Sequence, residues 1–151
     1  MWASSITAYF HYFGFMLAFA ALTVEVFNLK KDMTLDEAKR VAFADLAYGI
    51  AATAILITGV LRVLYFGKGT DYYLNNPFFY AKMGVFILVS LFSLYPTFTF
   101  IFWFKDLQKN QPPAVELERV TQLTWLIKAE LLGFTILPLL AAVMARMSGW
   151  S

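Results

Sequence analysis

One side chain in this sequence stands out chemically, because His11 is the only histidine and lies within the apolar stretch AYFHYFGFMLAFAALTVEVF. The same stretch also carries a carboxylate, Glu25. An imidazole in apolar surroundings can ligate haem iron or copper, or it can hydrogen-bond to a neighbouring helix. Ionisable residues inside membrane segments are candidates for function on general grounds. The residue alone leaves both readings of His11 open.

Three further side chains lie near the ends of other apolar segments: Arg62, Lys82 and Met144. If the segments are antiparallel helices, His11, Arg62 and Lys82 lie at a similar depth, roughly 6–8 Å below one boundary. Such a set predicts a b-type haem with His11 as axial metal ligand and Arg62 as partner of a propionate. Lys82, Met144 or Met147 would take the sixth position, or it stays open. The simpler alternatives are that the cations snorkel to lipid head groups and that the methionines only pack.

A second polar group is expected near the opposite boundary, formed by Glu25, Asp45, Lys128 and Glu130. These residues could exchange protons on that side of the membrane. The structural alternatives are an ion pair between Glu25 and Lys128, and an Asp45 that caps or solvates its helix. Lys128 and Arg146 are the expected interfacial anchors.

Composition places the chain in a membrane. Hydrophobic residues make up 60% of the sequence and charged residues 15%, whereas soluble domains average about 45–50% and 25%. The absence of cysteine excludes disulfides, thiolate metal sites and covalent haem attachment. A net charge of +2 without a basic cluster gives no support for nucleic-acid binding. A zinc site needs three or four suitable ligands, and the chain offers one histidine and scattered carboxylates, which fits such a site less well than haem or copper.

Four segments are long enough to span a bilayer, which takes about 20 apolar residues. They cover about 6–29, 41–66, 77–104 and 121–145. Because the links are short, we predict an all-α, up-down-up-down four-helix bundle that forms one transmembrane domain, 1–151. Thr34 and Glu37 fit a capping box for an early start of the second helix. Pro77 suits the first turn of the third.

Basic residues predict the orientation of the bundle. The links 30–40 and 105–119 hold most of the lysines and arginines, and the 67–77 link holds only Lys68. The positive-inside rule then puts both termini and the 67–77 link outside, which is the periplasm of a bacterium. We expect the chain to lie in the bacterial inner membrane and to cross it several times.

Helical periodicity predicts which side of each span faces the interior. Residues recurring at steps of three and four form one face of a helix. Three stripes of this kind carry polar groups: His11, Phe15, Ala18, Leu22 and Glu25; Lys82, Phe86, Val89, Ser93 and Pro96; Glu130, Phe134, Leu137, Ala141 and Met144. Beside the first stripe, Gly14, Ala18 and Ala21 would let a partner helix approach closely.

Three sequence motifs resemble a family of uncharacterised bacterial inner-membrane proteins with four spans. They are LAYGIAATAILITGVLRVLYFGKG (46–69), YYLNNPFFYAKMGVF (72–86) and SLYPTFTFIFW (93–103). Membership would imply the four-span architecture, and it brings no established reaction with it.

The layout also resembles, more distantly, the haem-binding protoporphyrinogen oxidases of the HemJ type. His11 and Lys82 stand where that family has an essential histidine in its first helix and an essential lysine near the start of its third. The run after His11 lacks the tryptophan and Gly-Leu step usual in that family. The resemblance implies a haem b site, with Lys82 as the catalytic or ligating residue. A weaker likeness to copper-resistance membrane proteins of the CopD type implies copper.

The expected function is therefore a haem-dependent oxidoreductase that passes electrons from a tetrapyrrole or quinol-like substrate to the quinone pool. Its expected partners are membrane lipid, haem and further copies of the chain in a homo-oligomer, and no nucleic acid. Two alternatives remain: a copper-handling or small-solute membrane protein, and an assembly subunit without catalytic activity.

Overall fold

The computed structural model describes residues 1–147, which are almost entirely helical and contain no strand. The elements are α1 (Trp2–Asn28), α2 (Leu35–Leu61), which continues as a π-helical turn (Arg62–Phe66), α3 (Thr70–Leu74), α4 (Pro77–Gln108) and α5 (Leu117–Met147). The predicted all-α class is confirmed, and α3 is a short helix in what was expected to be a plain link.

Helix α2 begins at Leu35, before the apolar stretch that was expected to start at 41. The reason is the capping box, which the structure confirms. Thr34 Oγ1 accepts a hydrogen bond from the Glu37 amide at 3.2 Å, and Glu37 Oε1 accepts one from the Thr34 amide at 3.0 Å. Lys30 Nζ also lies 2.6 Å from Glu37 Oε2. These bonds satisfy amides that have no partner within the first helical turn.

The other long helices also extend beyond their apolar stretches. α1 starts at Trp2, α4 continues to Gln108, and α5 runs from Leu117 to Met147. Hydropathy marks only the part of a helix that suits lipid, while the polar turns beyond it remain hydrogen-bonded and helical. The predicted start of α4 at Pro77 is confirmed, and Asn76 Oδ1 caps it by accepting from the Phe78 amide at 3.0 Å.

The four long helices form a ring in which neighbours run antiparallel. α1 packs against α2 and α5, and α4 packs against the same two helices, so that α1 and α4 face each other diagonally. Phe134 of α5 contacts Phe15 of α1 and Tyr48 of α2 across the interior. The predicted up-down-up-down bundle is confirmed. The three interior stripes are confirmed as well, because their residues are buried or half-buried.

Small residues set the two tightest helix pairs. A Cβ on Gly14 would lie 3.2 Å from Ile55 Cγ1 of α2, and a Cβ on Gly133 of α5 would overlap Val89 Cγ2 of α4. Close packing of this kind is typical of helices that associate within a bilayer, where small residues allow backbones to approach.

The outer surface of the ring is apolar. Ile50, Leu132 and Leu139 are 62%, 62% and 63% exposed, as are many other large hydrophobic side chains along the helices. The four long helices are also long and apolar enough to cross a membrane. An apolar surface of this extent suits contact with lipid rather than water.

Candidate functional site

His11 is held from one side by α2. Its Nδ1 lies 3.0 Å from Thr58 Oγ1, and a Cβ built on Gly59 would lie 3.4 Å from His11 Cε1. The Thr58 hydroxyl donates its single proton to the backbone carbonyl of Ala54, with the Ile55 carbonyl also nearby. Oγ1 must therefore accept from His11, so the imidazole is protonated on Nδ1. Its Nε2 retains the lone pair that a metal ligand needs.

Arg62 and Lys82 lie close to this imidazole. The side chains of His11, Arg62 and Lys82 are near enough for their charges to interact, and all three are half-buried. The Arg62 guanidinium also lies over the ring of Tyr12, 5.2 Å from its centroid. Position along antiparallel helices predicted a common depth for these residues, and the structure places them within electrostatic range of one another from α1, the end of α2 and α4. We call His11, Arg62 and Lys82 the outer cluster.

The position of Arg62 depends on the π-helical turn that it opens. This turn widens the last part of α2 before the chain leaves the helix at Gly67. Ser4 Oγ ties the turn to α1 by donating to the Phe66 carbonyl at 2.7 Å. Single π turns are frequent near functional sites, because they shift the direction of side chains within a helix.

The outer cluster carries positive charge without a matching acid. Within residues 1–147 the side chains that form an ion pair are Lys30 and Glu37, at the far end of the bundle. Neither Arg62 nor Lys82 makes one. Half-buried cations without a counter-charge favour an anionic ligand, whose carboxylates or phosphates would supply the missing charge.

Met144 lies in a different network. Its side chain is buried, and its backbone carbonyl accepts from Tyr72 Oη at 3.3 Å and from Asn76 Nδ2 at 3.2 Å. These bonds anchor α3 and the start of α4 to the end of α5. A ligand role for the Met144 sulfur stays a prediction.

The second polar group is enclosed by all four long helices. Glu25 of α1 is 0% exposed, Glu130 of α5 is 1% exposed and Asp45 of α2 is 6% exposed. Glu25 faces Asp45, and the Tyr48 hydroxyl lies beside Glu130. α4 contributes hydroxyls, with Ser93 beside Tyr48 and Thr97 beside Asp45. We call Glu25, Asp45 and Glu130 the acid cluster.

Two structural alternatives for this group are wrong. Lys128 does not pair with Glu25, because its side chain is exposed on the outside of α5, where its ammonium lies 5.6 Å from the centroid of the Trp125 ring. Lys128 fits the interfacial anchor that we also expected. Asp45 does not cap α2, because that helix begins ten residues earlier at Leu35 and Asp45 is buried in its interior face.

A groove of about 480 Å³ lies between α2 and α4 beside the acid cluster. Its walls are mainly apolar, and they include the side chains of Leu46, Ile50, Thr53, Phe100, Ile101 and Phe104, together with Thr97 and Asp45. Leu46, Ile50 and Ile101 are exposed on the outer surface, so the groove opens sideways, toward lipid.

Several contributors to these sites were missed in the sequence. Thr58, Tyr12, Tyr48 and Thr97 look like ordinary helix residues, and their roles depend on contacts between helices. One signal was available for Tyr48, because it follows Asp45 by one helical turn and shares its face. Among residues 1–147 no three histidine or acidic side chains are grouped closely enough to hold a metal ion by themselves.

Comparison with known proteins gives the family of the chain. Neither a curated protein nor a solved structure matches it. One family model, described as "Predicted membrane protein (DUF2214)", matches residues 3–149. That match covers nearly the whole chain and agrees with the expected family of four-span membrane proteins without an assigned reaction. The four-helix bundle described above therefore belongs to the DUF2214 family of predicted membrane proteins.

Proposed function

We propose that the outer cluster binds haem b and that His11 is its axial ligand. The observation that carries this proposal is the hydrogen bond from His11 Nδ1 to Thr58. In metal sites the second nitrogen of a ligating histidine commonly donates to a fixed acceptor, which sets the tautomer and the direction of the ligating nitrogen. His11 already has this arrangement, with Nε2 as the available donor atom.

The charges of the outer cluster fit the same ligand. Haem is a flat apolar molecule with two carboxylates, and half-buried cations without acidic partners suit those carboxylates. Arg62 is the propionate partner in this proposal. Lys82 would hold the second propionate as an ammonium, or would ligate the iron as a neutral amine. Bound haem would supply one-electron transfer, and the chain's own residues would fix its orientation and neutralise its charge.

The wider activity follows from the resemblance to HemJ-type oxidases. We propose a haem-dependent oxidoreductase that takes electrons from a tetrapyrrole or quinol-like substrate and passes them to the quinone pool. Its location would be the inner membrane of a bacterium, where it forms a homo-oligomer with both termini in the periplasm. The distribution of lysine and arginine among the links supports this orientation.

An absorption spectrum tests the haem site. Protein purified after haem-supplemented expression should show a Soret band, and His11→Ala should abolish it without changing the elution volume of the protein. Arg62→Gln should lower haem occupancy, whereas Arg40→Gln, at the other end of α2, should not. If Lys82 is the second iron ligand, the absorption bands that are characteristic of an iron-bound amine should be lost in Lys82→Met.

Two outcomes would contradict the proposal. A colourless, metal-free preparation of folded protein would leave the outer cluster without haem. Copper in stoichiometric amount without porphyrin would instead favour a copper-handling protein that uses His11.

A further inference from the structure

The acid cluster lies at the opposite end of the bundle from the outer cluster and has no part in the proposed haem site. Both carboxylate oxygens of Glu25 and both of Glu130 are inaccessible, and none of the four makes a hydrogen bond with a described residue. Buried polar atoms without partners are rare in folded proteins. The Tyr48 hydroxyl lies beside Glu130, whereas Glu25 faces another carboxyl group, that of Asp45, so the group as a whole needs added protons or another source of positive charge.

No cation faces the acid cluster from any of the surrounding helices. α1 contributes Glu25, α2 contributes Asp45 and Tyr48, and α5 contributes Glu130. α4 contributes only hydroxyls, from Ser93 and Thr97. Lys128, on α5, is directed outward to Trp125.

Three ionised carboxylates in this enclosed space would repel each other and would also lose their hydration. The cluster must therefore take up positive charge. A metal ion is disfavoured, since no group of three histidine or acidic side chains within 1–147 is arranged to hold one. Protons fit better, because a protonated Glu25 or Asp45 can donate its O–H to the other carboxylate, and this supplies the missing donor.

Apolar side chains close the acid cluster along the bundle axis. Toward the 30–40 link the interior is filled by Met33, Val41, Trp103 and Leu107, all buried. Toward the middle of the bundle, Phe134 fills the space between α1 and α2. Water has no open path along the axis through such packing.

The lateral groove is where the acid cluster comes closest to the exterior. Asp45 forms part of its wall and is the most exposed of the three acids, at 6%. Gly49, one turn along α2, leaves open space, because a Cβ placed there would meet no atom within 4 Å. Glu25 and Glu130 do not line the groove.

We propose that Glu25, Asp45 and Glu130 form a single proton-binding site that exchanges protons through Asp45 with water that enters the groove between α2 and α4. Glu25 and Glu130 hold protons inside the bundle, and Asp45 connects them to the surroundings. This inference does not depend on haem, and it holds or fails separately from the outer cluster.

Labelling with a hydrophobic carbodiimide tests the proposal. Dicyclohexylcarbodiimide partitions into lipid and adds to protonated carboxyl groups, so the full-length protein in lipid nanodiscs is treated over a range of pH and mapped by peptide mass spectrometry. We expect one principal adduct, on Asp45, whose yield falls as the pH rises. Asp45→Asn should remove the adduct, whereas Asp36→Asn, which changes an exposed acid in the first turn of the same helix, should leave it unchanged.

The coupling between the three acids is tested with Glu25→Gln and Glu130→Gln, which keep the size of each side chain. Removing one acid should lower the pH of half-maximal Asp45 labelling by about one unit, since interacting acids titrate together. An unchanged pH of half-labelling in both variants would refute a shared site. Labelling of Glu25 or Glu130 in place of Asp45, or no labelling of Asp45 in the wild-type protein, would refute exchange through the groove. These wild-type results decide the route even if a variant fails to fold.

Discussion

His11 on α1 and Thr58 on α2 are joined by a hydrogen bond of 3.0 Å between Nδ1 and Oγ1. Because the Thr58 proton is committed to the Ala54 carbonyl, this contact determines which imidazole nitrogen carries hydrogen. The orientation of the candidate ligand is thus set by a neighbouring helix, and the pairing of α1 with α2 is a condition for the site.

Replacing Thr58 tests this relationship. Thr58→Val keeps the shape of the side chain and removes the acceptor, so the imidazole loses its fixed orientation. Haem affinity should fall by about 10–100-fold, the usual range for loss of a ligand's hydrogen-bond partner. The measurement is titration of haem into the apoprotein, followed at the Soret band.

Thr53→Val is the matched control for that variant. Thr53 is exposed on the same helix and donates to the Gly49 carbonyl, so it has the same local bond without the contact to His11. Equal losses of affinity in the two variants would contradict the role assigned to Thr58.

The close packing of α4 and α5 predicts a large effect at one glycine. Gly133→Ala places a methyl group against Val89 and should lower the free energy of unfolding by about 1–3 kcal/mol, as overpacking does in well-packed interiors. Thermal unfolding in detergent, followed by circular dichroism, measures the change. Gly84→Ala is the control, since a Cβ there meets no atom within 4 Å. Adding Val89→Ala to Gly133→Ala should restore much of the stability, and a failure to do so would point to another cause.

The capping box at the start of α2 should matter more than the neighbouring ion pair. Thr34→Ala removes the acceptor of the Glu37 amide and should reduce stability by about 1 kcal/mol. Lys30→Ala removes only an exposed pairing with Glu37 and should change stability by less than about 1 kcal/mol. Chemical denaturation of both variants measures the difference. A larger loss in Lys30→Ala would reverse this ranking.

The absence of cysteine makes the orientation directly testable. Lys31→Cys and Lys109→Cys introduce single thiols in the two links that are expected to be cytoplasmic, and Asp71→Cys introduces one in the opposite link. In intact cells a membrane-impermeant maleimide should label only Asp71→Cys. All three variants should react after the membrane is permeabilised. Labelling of Lys31→Cys in intact cells would show that the orientation is the reverse of the one predicted.

Much of the fold was predictable, because the signals that determine it are local. Long apolar stretches give helices in lipid, and short links give antiparallel neighbours. The Thr34 capping box and Pro77 marked two helix starts that the structure confirms. The remaining helix ends could not be read from hydropathy, since a helix continues through polar turns such as the one that ends at Gln108.

The candidate sites were predictable in part. Depth in the membrane identified His11, Arg62 and Lys82 as one layer, and the structure places them within electrostatic range of one another. The partners could not be predicted, since Thr58 meets His11 only through the pairing of two helices. Lys128 was assigned to Glu25 as one alternative because both were expected at a similar depth, but depth does not reveal the side of the helix, and Lys128 is directed outward.

The distance between the two clusters makes the bundle responsive to an electric field. Along α1, His11 and Glu25 are about 21 Å apart at 1.5 Å per residue, which is about two thirds of a hydrocarbon core of about 30 Å. A charge that moves between these levels does electrical work of about 1.5 kcal/mol for each 100 mV of membrane potential. A charge held at Glu25 and a charge held at His11 therefore respond to different fractions of the membrane potential.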